Sequence, residues 1–127
     1  EAVTGKPFAR HWIHVGMVSL DGVKMSKSLG NLVFVHDLLK EWEPPAIRLG
    51  VLEHHYRPGF DWNSDTMDRN AARLVKWRAA GEGDAALEEA RAALDEDLDT
   101  PGAVAAIDAA AAAGHGVSRA AALLGVW

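Results

Sequence analysis

The 127-residue sequence predicts a mainly α protein in which a short β-hairpin precedes a helical bundle. Three observations carry that prediction. Apolar and polar residues mix without helical spacing up to Leu20, where Asp21 and Gly22 supply a tight-turn pair. Beyond Asn31, apolar residues recur at i, i+3, i+4 and i+7. From there to the C-terminus, helix-starting and helix-ending residues alternate: Pro44 and Pro45, Ser64, Gly81 and Gly83, Thr100 and Pro101, Gly114, Gly125.

The elements follow in order. Phe8 to Leu20, with Trp12, Ile13, Val15, Met17 and Val18, reads as an extended strand, and Val23 to Met25 can run back beside it after the turn. Val35, Leu38, Leu39 and Trp42 form one buried helical stripe. Pro44 and Pro45 stop that helix and open another, whose apolar content is Ile47, Leu49, Val51 and Leu52 and which ends near His54 and His55. Tyr56 to Asn63 reads as a loop whose Arg57, Phe60 and Trp62 could stack on a base or sugar, or could pack the helices against a neighbouring domain.

Ser64 can cap the next helix, in which Met67, Ala71, Leu74, Val75 and Arg78 trace one face with Trp77 at its flank; Gly81 and Gly83 end it. Asp84 caps a helix bearing Leu87, Ala90 and Leu94. Thr100 and Pro101 form an N-cap and first-turn pair for the helix with Val104 and Ile107, and Asp99 favours its positive end. The alanine run 109–113 extends it, and Ser118 caps a short last helix with Ala121, Leu123 and Leu124. His115 reads as a loop histidine.

Composition narrows the function classes. With 49% hydrophobic residues the chain can build a modest core. It contains no run of 18 or more apolar residues and no charged, apolar, small-residue leader, so the expectation is a cytoplasmic protein with no membrane partner. The absence of cysteine excludes disulfides and thiolate zinc ligation by this chain. His11 and His14 have no third ligand near them, and His54 and His55 would diverge on a helix. An EF-hand loop starting at Asp95 would need Gly at its sixth position and Glu at its twelfth, where Thr100 and Ala106 stand, so no metal site is predicted. Residues 1–80 carry net charge +2 and residues 81–127 net −7. An acidic C-terminal region repels phosphate backbones, which makes tRNA an unexpected partner for it.

The chemistry lies in Lys24, Met25, Ser26, Lys27 and Ser28, followed by Leu29, Gly30 and Asn31. Two ammoniums and two hydroxyls on a short loop suit a nucleotide's phosphates. When an α-phosphate is attacked and pyrophosphate leaves, negative charge grows on the departing oxygens, and a cation that meets it there lowers the barrier. A unit charge about 4 Å away contributes roughly 4 kcal/mol at an effective dielectric near 20. Lys27 is assigned that role with Lys24 as its partner. Ser26 and Ser28 are hydroxyl donors or loop-shaping residues, and Gly30 permits a turn that a Cβ would obstruct.

KMSKSLGN resembles the mobile signature loop of class I aminoacyl-tRNA synthetases. PFARHWIHVGMVSLDG upstream, HYR at His55–Arg57 and DEDLDTPGAVAAID downstream follow the order found in cysteinyl-tRNA synthetases. The resemblance implies that residues 1–31 are the end of a class I catalytic domain, 32–63 its stem-contact helices and linker, and 64–127 a C-terminal helical bundle, so that the hairpin is a remnant of the nucleotide-binding fold. It further implies ATP with magnesium as cosubstrate, an ATP-binding set of Val18, Lys24, Met25, Ser26, Lys27 and Ser28, and catalytic roles for Lys24 and Lys27. Val18 is the candidate for backbone contact with adenine, or else a plain core valine. In the family a zinc ion selects cysteine, and its ligands precede this chain, which reads as the C-terminal piece of a longer enzyme. The partners are then the remainder of the catalytic domain and the small-molecule substrates.

Two related families share these motifs. Cysteinyl-tRNA synthetases continue past a segment like AALLGVW into an anticodon-recognising domain, whereas the mycothiol cysteine ligases of actinobacteria stop close to it. FARH, GMVSLDG, AIRLGVLEHHYR and ARLVKWR look like the ligases. That resemblance implies cysteine and glucosaminyl-inositol as substrates of the intact enzyme. Leu29 departs from it, because many ligases carry Arg there and Leu is the commoner synthetase residue. A cysteinyl-tRNA synthetase fragment is the alternative, and a non-catalytic helical module retaining the loop is a third reading.

Overall fold

A computed structural model describes residues 3–127, so the first two residues of the 1–31 segment lie outside the described residues. Its sheet has strand order β2-β1-β3, with β1 Val18–Leu20, β2 Val23–Lys24 and β3 Phe60–Trp62. Six helices complete the described residues: α1 Val35–Leu38, α2 Pro44–Leu52, α3 Thr66–Ala80, α4 Leu87–Asp95, α5 Thr100–Ala112 and α6 Ser118–Leu123. The mainly α class with a small hairpin therefore stands. None of these helices is long and apolar enough to cross a membrane.

The hairpin forms as its sequence dictates. Asp21 and Gly22 have φ of 49° and 75°, the left-handed pair that a two-residue hairpin turn requires, and Ser19 pairs with Lys24 across it. The strand predicted from Phe8 is far shorter, because a strand exists only where it has a partner. β3 supplies that partner, running parallel to β1 with Val18 opposite Phe60 and Leu20 opposite Trp62. Two further bonds, Gly16 N–H to the Tyr56 carbonyl at 2.7 Å and Phe60 N–H to the Met17 carbonyl at 3.1 Å, extend the contact slightly. Gly16 is needed there, since a Cβ would lie 2.1 Å from the Pro58 carbonyl oxygen. Trp12, Ile13, Val15 and Met17 are left exposed.

β3 also corrects the predicted loop Tyr56–Asn63. Its Phe60 and Trp62 pack against the chain's own core. Helix α1 is a single turn continued by irregular turns to Trp42, and its predicted stripe is split: Leu38 and Trp42 are half-buried, Val35 and Leu39 exposed. The proline start of α2 is as predicted.

The remaining helix starts shift by one or two residues, each for a local reason. Ser64 does not cap α3. Asp65 is the N-cap, while the Thr66 hydroxyl donates to Asn63 Oδ1 at 2.8 Å and accepts from the Asn63 N–H at 3.1 Å. The buried face of α3 is Met67, Asn70, Leu74 and Trp77, which places Val75 and Arg78 in solvent and makes Trp77 central. Ala86, in the left-handed region at φ 61°, caps α4 in place of Asp84. Asp99 rather than Thr100 caps α5, its carboxylate accepting from the Gly102 N–H at 3.0 Å. Ser118 lies inside α6, behind Val117, and its hydroxyl accepts from the Gly83 N–H at 3.1 Å.

The bundle packs α3 between α2 and α5, with α4 on α5 and α6 against α4 and α3. Leu49, Leu74, Trp77, Ile107, Val117 and Val126 are fully buried in it. A polar network joins three of these helices. Glu53, just beyond α2, accepts from Arg69 Nη2 at 2.7 Å, Arg73 Nη1 at 2.9 Å and Asn70 Nδ2 at 3.0 Å. Arg73 Nε then reaches Asp108 Oδ2 at 3.0 Å, and the Trp77 indole N–H donates to Asp108 Oδ1 at 2.7 Å. Burial pushes the Glu53 carboxyl up, but the hydrogen bonds from Arg69, Arg73 and Asn70 outweigh it and hold the group at about 2.

A depressed carboxylate contributes stability that is complete above its unfolded value near 4.5 and lost as pH falls towards 2. By that linkage the contribution is on the order of 3 kcal/mol at neutral pH. Glu53→Gln should lower the urea midpoint at pH 7 and flatten the fall in stability between pH 4.5 and 2; midpoints measured across that range for both proteins test it.

Candidate functional site

The lysine loop is mounted on β2 and leads towards α1. Its shape comes from a small set of hydrogen bonds. Asn31 bridges its ends: its Oδ1 accepts from the Ser26 N–H at 2.9 Å and its Nδ2 donates to the Lys24 carbonyl at 3.2 Å. Inside that bridge the Ser26 and Ser28 hydroxyls are bonded at 3.2 Å, and Ser26 Oγ accepts from the Leu29 N–H at 3.3 Å. The Gly30 N–H reaches the Lys27 carbonyl at 3.2 Å with Gly30 at φ 66°, the turn expected of that glycine. Ser26 thus shapes the loop in this state.

Lys24 and Lys27 are both exposed, and among the described residues neither ammonium has an acidic partner. Met25, between the two lysines in sequence, is half-buried and packs on the core, which anchors the loop from below. Val18 lines two concavities. One is an apolar cavity of about 600 Å³ shared with Met25, Val33, Leu38, Val51 and Phe60. The other is a cleft of about 440 Å³ shared with Ser19, Gly22, Lys24 and Asp61. Of the six predicted ATP-binding residues, Val18 and Lys24 therefore line one cleft, while Met25 faces the apolar cavity and Ser26, Lys27 and Ser28 form the turn beyond.

The hairpin is held from the side by Asp61. Its Oδ1 accepts from the Ser19 hydroxyl at 2.8 Å and from the Gly22 N–H at 2.7 Å, and the Asp21 N–H donates to the Trp62 carbonyl at 3.1 Å. A second clamp ties the segment before β3 to the bundle. Asp97 accepts from Arg57 Nε at 2.5 Å, Arg57 Nη2 at 2.7 Å and the Tyr56 hydroxyl at 2.6 Å. The Arg57 bonds, followed by that from Tyr56, hold the Asp97 carboxyl well below the usual carboxylate range. Asp97 and Leu98, in the turn that follows α4, both take left-handed φ values of 53° and 56°.

The paired histidines separate as their positions suggest. His54 stacks on Phe60 with ring centres 4.1 Å apart, and burial pushes its imidazole down against the weaker opposing pull of Glu53. His55 stacks on Tyr56 and its Nδ1 accepts from the Arg57 N–H at 3.2 Å. No group of three or more metal-ligating side chains occurs among the described residues.

Sequence reasoning passed over Asn31, Asp61 and Asp97 as individual actors. Asn31 carries a readable signal, because an amide five residues after Ser26 can both accept and donate across a turn. The role of Asp61 depends on parallel pairing over 42 residues, and that of Asp97 on a contact over 41, neither of which has a local signature.

A family model described as tRNA synthetases class I (C) catalytic domain matches residues 1–72. Among curated proteins, the chain is similar to the L-cysteine:1D-myo-inositol 2-amino-2-deoxy-alpha-D-glucopyranoside ligase of Streptosporangium roseum, with 50% identity over 109 residues, covering 81% of this chain and 27% of the relative. Proteins of the same name match from Acidothermus cellulolyticus, 49% identical over 115 residues (85% and 28%), and Corynebacterium glutamicum, 51% identical over 108 (79% and 27%). The chain thus spans little more than a quarter of the length of these relatives.

Removing the Asn31 bridge tests the loop's geometry. Asn31→Ala should speed hydrogen exchange at the Ser26 amide by about tenfold, the loss of roughly one hydrogen bond, while Asn31→Asp, which keeps the acceptor, should give a smaller change.

Proposed function

We propose, for a chain that belongs to the family of class I (C) tRNA synthetase catalytic domains, that it forms part of an ATP-dependent ligase joining cysteine to the amine of glucosaminyl-inositol. The single observation that supports this most is the pair of exposed ammoniums without acidic partners, Lys24 and Lys27, on a turn braced by Asn31 and seated on a hairpin. Cations already neutralised by carboxylates would have little left to offer a leaving group.

In this reading the cysteine carboxylate attacks the α-phosphorus of ATP. The bond to pyrophosphate breaks, and cysteinyl adenylate forms. Lys27, supported by Lys24, meets the charge that grows on the pyrophosphate oxygens. Magnesium arrives with the phosphates, as it commonly does, and not in a cage of protein ligands. The amine of glucosaminyl-inositol then attacks the adenylate carbonyl, AMP leaves, and an amide remains, as a step of mycothiol biosynthesis. Cysteine selection by zinc belongs to residues outside this chain, as do the remaining groups that handle the amine. Val18 offers its backbone to adenine beside the cleft it shares with Lys24. The partner surface for the rest of the catalytic domain is the exposed apolar segment of Trp12, Ile13, Val15 and Met17 with the cavity beside it. The cytoplasm, which supplies ATP and reduced cysteine, is the compartment we propose.

Two observations favour a second reading. Leu29 is the residue common in the tRNA-charging branch, and the matching family model carries the synthetase name. The acidic charge of residues 81–127 and the ligase names of relatives near 50% identity favour the amino-sugar acceptor. Full-length protein offered both acceptors should form the cysteinyl amide of glucosaminyl-inositol; transfer to tRNA alone would overturn the assignment.

Lys27→Ala in the intact enzyme should cut ATP–pyrophosphate exchange by about a hundredfold, comparable to removing one charge-stabilising donor. Exchange near the wild-type rate would remove Lys27 from the chemistry. The isolated 127-residue chain should make no adenylate, because the other half of the site is supplied elsewhere, and measurable synthesis by it would contradict the reading.

A further inference from the structure

We propose that Asp61 is a positioning residue for Lys24, acting through the hairpin turn; the inference rests on the proposed role of the lysine loop and extends it. β2 consists of Val23 and Lys24 and, among the described residues, is paired only with β1. Two residue pairs define its register, Ser19 with Lys24 and Leu20 with Val23, so the direction in which Lys24 leaves the sheet depends on the turn that joins the strands.

Asp61 holds that turn by a single oxygen. Its Oδ1 takes the Gly22 N–H, an amide at the tip of the turn, and the Ser19 hydroxyl, which belongs to the residue paired with Lys24. The same side chain sits opposite Ser19 in the parallel ladder and lines the cleft that Lys24 also lines. One carboxylate thus fixes the turn tip and the residue across from the lysine together. The backbone ladder between β1 and β3 does not use this side chain. Its removal therefore loosens the tip of the turn at Gly22, while the Asp21 N–H bond to the Trp62 carbonyl and the sheet pairing remain.

A displacement of about 1 Å at a catalytic group can cost a hundredfold in rate. Loosening the turn that carries Lys24 acts in the same way, though less completely. In the intact enzyme, Asp61→Ala should lower kcat for ATP–pyrophosphate exchange about tenfold, leave the KM for cysteine unchanged, and keep the thermal midpoint within about 3 °C of wild type. Asp61→Asn retains an acceptor oxygen in the same place and should recover most of the rate. Because Asp61 acts through Lys24, the double variant Asp61→Ala with Lys24→Ala should be no slower than Lys24→Ala within about twofold.

Wild-type exchange by Asp61→Ala, failure of Asp61→Asn to recover it, or losses that multiply in the double variant would each overturn the inference. A wild-type rate in Lys24→Ala would instead overturn the reading of the lysine loop on which it rests.

Discussion

A strand of three residues cannot stand alone, and β1 persists because both its edges are occupied. On one side it holds β2, which carries the first lysine of the loop; on the other it holds β3, which brings Asp61 to the turn. Backbone groups left without partners on either side would each cost about as much as a lost hydrogen bond. The loop's position therefore depends on residues from two parts of the chain separated by α1 and α2. The same pairing explains the glycine at position 16, where the segment before β1 passes too close to Pro58 for any side chain.

Seen from this sheet, the helical bundle is a support. Glu53 gathers Arg69, Asn70 and Arg73 at the end of α2, and Asp108 continues the network to the indole of Trp77. That end of α2 leads directly into His54, whose ring lies flat on Phe60 of β3. The Asp97 clamp grips the chain at Tyr56 and Arg57, just before the same strand. An aromatic stack and a polar clamp from the bundle thus hold β3, and through it the hairpin.

Sequence revealed the parts with local causes. The Asp21–Gly22 turn, the proline start of α2 and the compact turn at Gly30 each follow from backbone preferences of the residues themselves. The sequence also marked Lys24 and Lys27 as the cations of the candidate site, and they stand exposed on their turn. β3 was illegible because three residues, Phe60, Asp61 and Trp62, look like an aromatic loop until a partner strand lies beside them. The buried face of α3 was misjudged by about one position, since Val75 fits an apolar stripe but Trp77 buries far more surface and carries an N–H that needs Asp108. Helix caps drifted because several polar residues cluster at each start and only tertiary contacts choose among them, as Gly83 does in engaging Ser118.

The left-handed pair Asp97 and Leu98 gives the junction between α4 and α5 the character of a loaded spring. Two such non-glycine residues in succession store energy, on the order of 1–3 kcal/mol each, that the surrounding contacts restrain. Backbone bonds that close α4, from the Leu98 N–H to the Leu94 carbonyl and from the Asp99 N–H to the Ala93 carbonyl, share that restraint, so one corner both ends a helix and aims the carboxylate that grips the strand's approach.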